Sequence, residues 1–197
     1  MPMRRAGGGF DSSYNAHAAI DDQAHIIVAA ELTNNAADSD RPAPLLDAVK
    51  NTAGEFPAQV LADAGFRSEA VFEQLKDTPV ELIAALGREG KEQLAIDIAQ
   101  YPRTAAMTAR LQTDETRAAY RPRKWFSEPP HGWIKNVLRF RQFSLRGMAK
   151  VKAEWRLVCA ALNLRRMGAL SSAAQTRNHR THARRSASEH IPDAARI

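Results

Sequence analysis

The order of apolar patterns along these 197 residues predicts an α/β fold with a mixed sheet flanked by helices. Three observations carry this. Two apolar runs separated by a short polar turn sit near the start. A short apolar run, a capped helix and another apolar run follow at residues 59–86. A closing segment then repeats its large apolar residues at helical spacing.

Residues 14–20 alternate through Tyr14, Ala16, Ala18 and Ile20, and residues 25–33 contain a continuous apolar run, so both read as strands. The polar Asp21-Asp22-Gln23-Ala24 between them predicts a hairpin. Residues 34–40 read as loop. Residues 44–53 read as a helix with Leu45, Leu46 and Val49 on one face. Residues 59–63 form a short strand, Ala64-Gly65 turns the chain, and Ser68 caps a helix that buries Val71, Phe72 and Leu75. Residues 80–86 form another strand. Residues 87–117 are charged and rich in Ala, with Pro102 interrupting them, and read as a partly helical connection. A helix is expected from Pro129 to about Val137, because paired prolines fit a first turn and not a helix interior. Glu128 would then stand at its start, only about 20° from Lys135 on the helical wheel, with Trp133 and Val137 opposite. Residues 148–167 form the last helix, with Val151, Trp155, Val158 and Leu162 as its core stripe.

The Gly-rich residues 1–13 read as a disordered leader, 14–167 as the folded domain, and 168–197 as a disordered basic tail. No apolar run reaches the ~20 residues of a membrane helix, and the first residues lack the apolar stretch of a signal peptide. The single Cys159 excludes an internal disulfide framework and fits a reducing cytoplasm. No CxxC or HExxH pattern supports zinc.

The net charge of +6 conceals an asymmetry. Residues 1–100 carry eight Lys and Arg against sixteen Asp and Glu, and residues 101–197 carry twenty against six, giving −8 and +14. A half that basic points to a polyanion partner, against the plainer reading of a solvated charged surface. Within it, YRPRKWFSEPPHGWIK sets Glu128 among Tyr120, Lys124 and Lys135. Asp63, 65 positions earlier, closes the run QVLAD. Widely separated acids that meet in space hold metal ions for phosphoryl transfer, and flanking cations suit a DNA backbone. Each residue also has a plainer use. Asp63 can cap the Ala64-Gly65 turn, and Glu128 can sit at a helix N-terminus. Lys124 and Lys135 can be solvated surface, and His131 a bystander. Trp125, Trp133 and Trp155 can stack on bases, but Trp133 and Trp155 lie on apolar faces that favour packing.

In order, SYNAHAAID, IIVAAELTNNAADSDRPAPLLDAV, VLADAGFRSEAVFEQL, ALGREGK and the segment from Tyr120 to Met167 resemble the C-terminal part of a bacterial insertion-sequence DDE transposase. The resemblance covers roughly residues 14–167, and Glu128 and Lys135 match the Glu-x6-Lys spacing of that superfamily's Tyr-Arg-Glu-Lys signature. It implies a ribonuclease-H-like fold in which three acids hold two Mg²⁺ or Mn²⁺ ions for cleavage and transfer of DNA strands. Asp63 and Glu128 match the second and third acids. Tyr120, Lys124, Lys135, Arg139 and Arg141 would contact the DNA of transposon ends. The first strand and its aspartate should lie before Tyr14, where only Asp11 stands, in the context GGGFDSS. The expectation is therefore an N-terminally truncated domain lacking its first strand, catalytically incomplete on its own. It would act as a homodimer or alongside a full-length transposase. The alternatives are a non-catalytic DNA-binding fragment that inhibits the full-length enzyme, and a product that does not fold stably.

Overall fold

Two long-range attachments organise the chain, and both end on the last helix. Strands β3 (Asn15–Ile20) and β4 (Ile27–Thr33) form the expected antiparallel hairpin, in register from Asn15↔Thr33 to Ile20↔Ile27 with an irregularity at Ala19/Ile20. The Asp21 carboxylate closes its turn by accepting from the Ala24 N–H at 2.6 Å. The last helix, α6 (Met148–Glu189), packs on β4 through Val151, Trp155, Cys159 and Leu162. The Asn163 side chain accepts from the Ile27 N–H at 2.9 Å and donates to the Ile27 carbonyl at 2.8 Å. The Trp155 indole N–H donates to the His17 carbonyl at 3.1 Å. Burial pushes the Cys159 thiol up to about 12, leaving it an inert packing residue.

The structure is a computed structural model. It describes the backbone of residues 2–4, 10–35, 42–85 and 96–189, and the side chains of residues 13–35, 42–85 and 96–176. Helix α1 (Pro42–Ala53) precedes the parallel pair β5 (Gln59–Ala62) and β6 (Glu81–Ala84), which are bridged by a 3₁₀ turn (Ala64–Phe66) and α2 (Glu69–Leu75). Ser68 caps α2 as expected, its hydroxyl accepting from the Val71 N–H at 3.2 Å. Leu46, Val71, Leu75, Val80, Leu82 and Ala84 form a second core cluster. Ile83, Met107 and Leu111 form a third on the other side of β6. Parallel and antiparallel pairings both occur, but β3–β4 and β5–β6 are separate two-stranded sheets, not one continuous mixed sheet.

Four expectations are corrected. Residues Pro2–Arg4 (β1) and Phe10–Ser12 (β2) pair antiparallel, with Met3 opposite Asp11. Asp11 therefore lies on strand β2, within the span expected to be a leader, and residues 5–9 lie outside the described residues. The helix expected from Pro129 is α5 (Arg123–Asn136), which begins six residues earlier, directly after Pro122. Pro129 and Pro130 are inside it, and Glu128 lies in its middle. The two prolines remove two intrahelical bonds, and full burial of Pro130 offsets part of that cost. Val137, expected to pack, is 43% exposed. Finally, α6 does not stop near Met167 but continues to Glu189. No Gly or Pro occurs between Gly168 and Pro192 to end it. Most of the expected disordered tail is thus helical backbone, and 190–197 lie outside the described residues.

In the charged connection, residues 86–95 lie outside the described residues. Beyond them come α3 (Pro102–Arg110), which Pro102 opens instead of interrupting, and α4 (Asp114–Tyr120). Tyr101 gives α3 no side-chain cap. The Glu69 carboxylate from α2 substitutes, accepting from the N–H groups of Arg103 and Thr104 at 2.9 and 3.0 Å and from the Thr104 hydroxyl at 3.0 Å.

Asn163→Ala leaves both backbone groups of Ile27 without their partner and should cost about 2–3 kcal/mol, read by urea unfolding. Asn163→Asp keeps one acceptor and should cost less. Burial raises the Glu69 and Glu31 pKa values, but bonds from Thr104 and Arg103, and from Lys152 and Arg156, outweigh it and hold both below 4.5. The stabilisation is present above that unfolded value and is lost as pH falls through the lower folded values. The melting temperature should therefore drop on acidification below about pH 4.5, less steeply in Glu69→Gln and Glu31→Gln.

Candidate active site

Asp63 follows the last residue of β5 and stands where the chain leaves the sheet. Its carboxylate accepts from the Gly65 N–H at 3.0 Å, capping the 3₁₀ turn, and lies 3.8 Å from the Arg123 guanidinium. About half of the side chain remains exposed (52%). The turn-capping use anticipated for Asp63 is thus realised, and it leaves one oxygen directed elsewhere. The backbone just before Asp63 is held from the helical side. The Tyr120 hydroxyl, at the end of α4, donates to the Ala62 carbonyl at 2.8 Å. Arg123 lies over the Tyr120 ring, 5.9 Å from its centroid.

Glu128, His131 and Lys135 recur along α5 at spacings that keep them on one side. All three line the same cleft as Asp63, a space of about 1030 Å³ between β3, β5, α1 and α5. Glu128 and Lys135 are exposed, and His131 is half-buried. Burial, and then the positive charges of Lys135 and His17, push the His131 pKa below 6.5. Its imidazole is therefore neutral at pH 7.

The structure brings Asp63, Glu128 and Lys135 to one cleft. It does not bring the other anticipated contacts there. Lys124 faces a separate hollow with Trp125, Glu128 and Pro129. Arg139, with φ 56°, and Arg141 are exposed beyond the end of α5 and do not line the cleft. Tyr120 points at the protein backbone and acts as a positioning residue for the β5 end. Trp155 is buried and Trp133 half-buried, with Arg166 over its ring at 5.3 Å and the His25 ring stacked at 6.2 Å. Only Trp125, 76% exposed, keeps an open face. Arg123 escaped sequence reasoning, although its place three residues after Tyr120 was a usable signal. Among the described residues, no group of three or more His, Cys, Asp or Glu side chains is arranged to hold a metal ion.

The His131 ring should titrate by NMR with a midpoint below 6.5, and Lys135→Gln should raise that midpoint, because removing a nearby cation favours protonation. A midpoint unmoved by the substitution would separate the two side chains electrostatically.

The Transposase DDE domain family matches residues 4–164. That span starts before Tyr14, so it takes in Asp11 as well as Asp63 and Glu128, and it covers more than half of the 197 residues. No curated protein and no solved structure matches the chain. No helix among the described residues is long and apolar enough to cross a membrane. The chain belongs to the transposase DDE-domain family.

Proposed function

We propose that this chain is catalytic-domain sequence of an insertion-sequence DDE transposase, with a ribonuclease-H-like lineage and transposon-end DNA as its partner. Asp63 and Glu128 are its metal-holding acids, for Mg²⁺ or Mn²⁺. The observation that supports this reading is that Asp63 and Glu128, 65 residues apart, line one cleft together with Lys135. Carboxylates opposite a cation suit a divalent metal and a phosphate together. Lys124, Lys135, Arg139 and Arg141 are all exposed, as contacts to a phosphate backbone require.

Asp63 and Glu128 by themselves do not make the three-acid set of this chemistry, and the side chain of Asp11 lies outside the described residues. The residues described do not fit a pair of divalent ions, and no step is derived through them. The 197 residues alone should bind DNA without transferring strands. This also favours a second reading, a DNA-binding fragment that pairs with a full-length transposase and inhibits it.

Duplex DNA affinity should fall steeply with salt, with a slope of about −3.6 on a log–log plot if those four cations each meet a phosphate. Lys135→Gln should reduce that slope by about 0.9. Mn²⁺ should bind weakly to the chain, and at least tenfold more weakly to Asp63→Asn and Glu128→Gln. Calorimetry showing equal Mn²⁺ affinity in all three proteins would sink the metal assignment. A salt-steep slope with no metal dependence would leave the inhibitory reading standing.

A further inference from the structure

Helix α6 buries one side against the β3–β4 hairpin through Val151, Trp155, Cys159 and Leu162. Its opposite side is apolar as well. Ala153, Leu157, Ala160, Leu164 and Met167 recur at steps of four, three, four and three residues. They share about 80° of arc, with Leu164 about 180° from Trp155. Leu157 and Leu164 are each 71% exposed, and Met167 is 54% exposed. Ala161 and Gly168 widen the strip, which runs without a charged side chain for roughly four turns, ~21 Å.

Single exposed leucines are ordinary, but a contiguous apolar strip on the solvent side of a surface helix is not. Such a helix carries polar residues on that side, and one that is apolar on both sides is enclosed by protein. Among the described residues nothing covers this strip, since Ala153, Leu157, Ala160, Ala161, Leu164 and Met167 are all exposed.

The spacing sets the shape of what covers it. Steps of three and four form the seam of a helix pair, and Ala153 and Ala160 between the leucines leave hollows for large side chains of a facing helix. The border sets the charge. Lys150, Arg156 and Arg165 flank the strip and are exposed. Glu154, the acid on that border, is already engaged, accepting from the N–H groups of Ser144 at 2.9 Å and Leu145 at 3.0 Å. A second copy of this chain would set these cations against their own kind. The continuation of the same helix, with Arg177, Arg180, Arg184 and Arg185, would add to that repulsion. An acidic partner turns the same charges into attraction.

We propose that the outer face of α6 from Ala153 to Met167 is a docking surface for an amphipathic helix of another protein, apolar at steps of three and four and acidic along its flanks. Leu157 and Leu164 anchor that helix in the manner of a helix laid along an apolar groove, and Lys150, Arg156 and Arg165 fix its charge.

The test uses the full chain and two labelled, capped peptides, three repeats of Leu-Glu-Glu-Leu-Glu-Ala-Glu and its twin with Lys for every Glu, read by fluorescence anisotropy. The Glu peptide should bind at least tenfold more tightly than the Lys twin. The double variant Leu157→Ser, Leu164→Ser should weaken it at least tenfold and leave the melting temperature in place, because both side chains are exposed in the free chain. Arg165→Glu should narrow the gap between the two peptides. Absent binding, or binding that the double variant leaves unchanged, overturns the surface. Equal affinity for both peptides overturns the acidic partner. A dimer of the free chain that the double variant dissociates identifies a second copy as occupant and overturns the heterologous one. Binding to phosphatidylglycerol vesicles that the double variant abolishes assigns the face to a membrane surface and overturns the helix.

Discussion

The hydrogen bond from the Tyr120 hydroxyl to the Ala62 carbonyl, 2.8 Å long, is the constraint on which the site depends. Asp63 directly follows strand β5, and Glu128 lies on a helix that begins beyond residues 86–95. Nothing in the chain's connectivity keeps them near each other. Tyr120 sits at the hinge between α4 and α5, and its hold on the last residue of β5 fixes where α5 starts relative to the sheet. Arg123, one turn further, repeats the attachment by approaching Asp63. The tyrosine contributes through its reach: a rigid ring with a polar tip can cross a packing layer and still satisfy a backbone carbonyl.

The contrast between an acidic first half and a basic second half takes on a different meaning once the pairs are located. Glu31 meets Lys152 and Arg156, Glu73 meets Arg103, Glu81 meets Arg110, and Asp63 meets Arg123. Each of these pairs joins residues 1–100 to residues 101–197. Part of the basic excess is therefore spent inside the molecule, where it fastens the helical half onto the sheet half. Exposed pairs of this kind contribute little individually, so their value lies more in fixing relative placement than in stability. The cations left over for a polyanion are fewer than the composition implies.

Much of the architecture was legible in the sequence because its signals are local. The β3–β4 turn, the Ser68 cap and the stripe Val151, Trp155, Leu162 each follow from residue chemistry within a few positions. The paired prolines misled for the same reason: the local rule against them in a helix interior is sound, but burial of Pro130 against the domain overrides it. The meeting of Asp63 with Glu128 came from the resemblance of the surrounding words, since no periodicity links positions 65 apart. The Tyr120 bond was not legible. It depends on how α4 packs against β5, where Leu61, Ala119 and Tyr120 join the cluster of Ile83, Met107 and Leu111.

The Asn163 clasp on Ile27 also has a consequence in time. Its partners are 136 residues apart. At roughly 5–20 residues per second, a ribosome needs about 7 to 27 s to travel from one to the other. Through that interval the β3–β4 hairpin has emerged, but the helix that covers it does not yet exist. A two-stranded hairpin is at best marginally stable in water, so the first part of the chain waits, half-made and sticky, for the last helix.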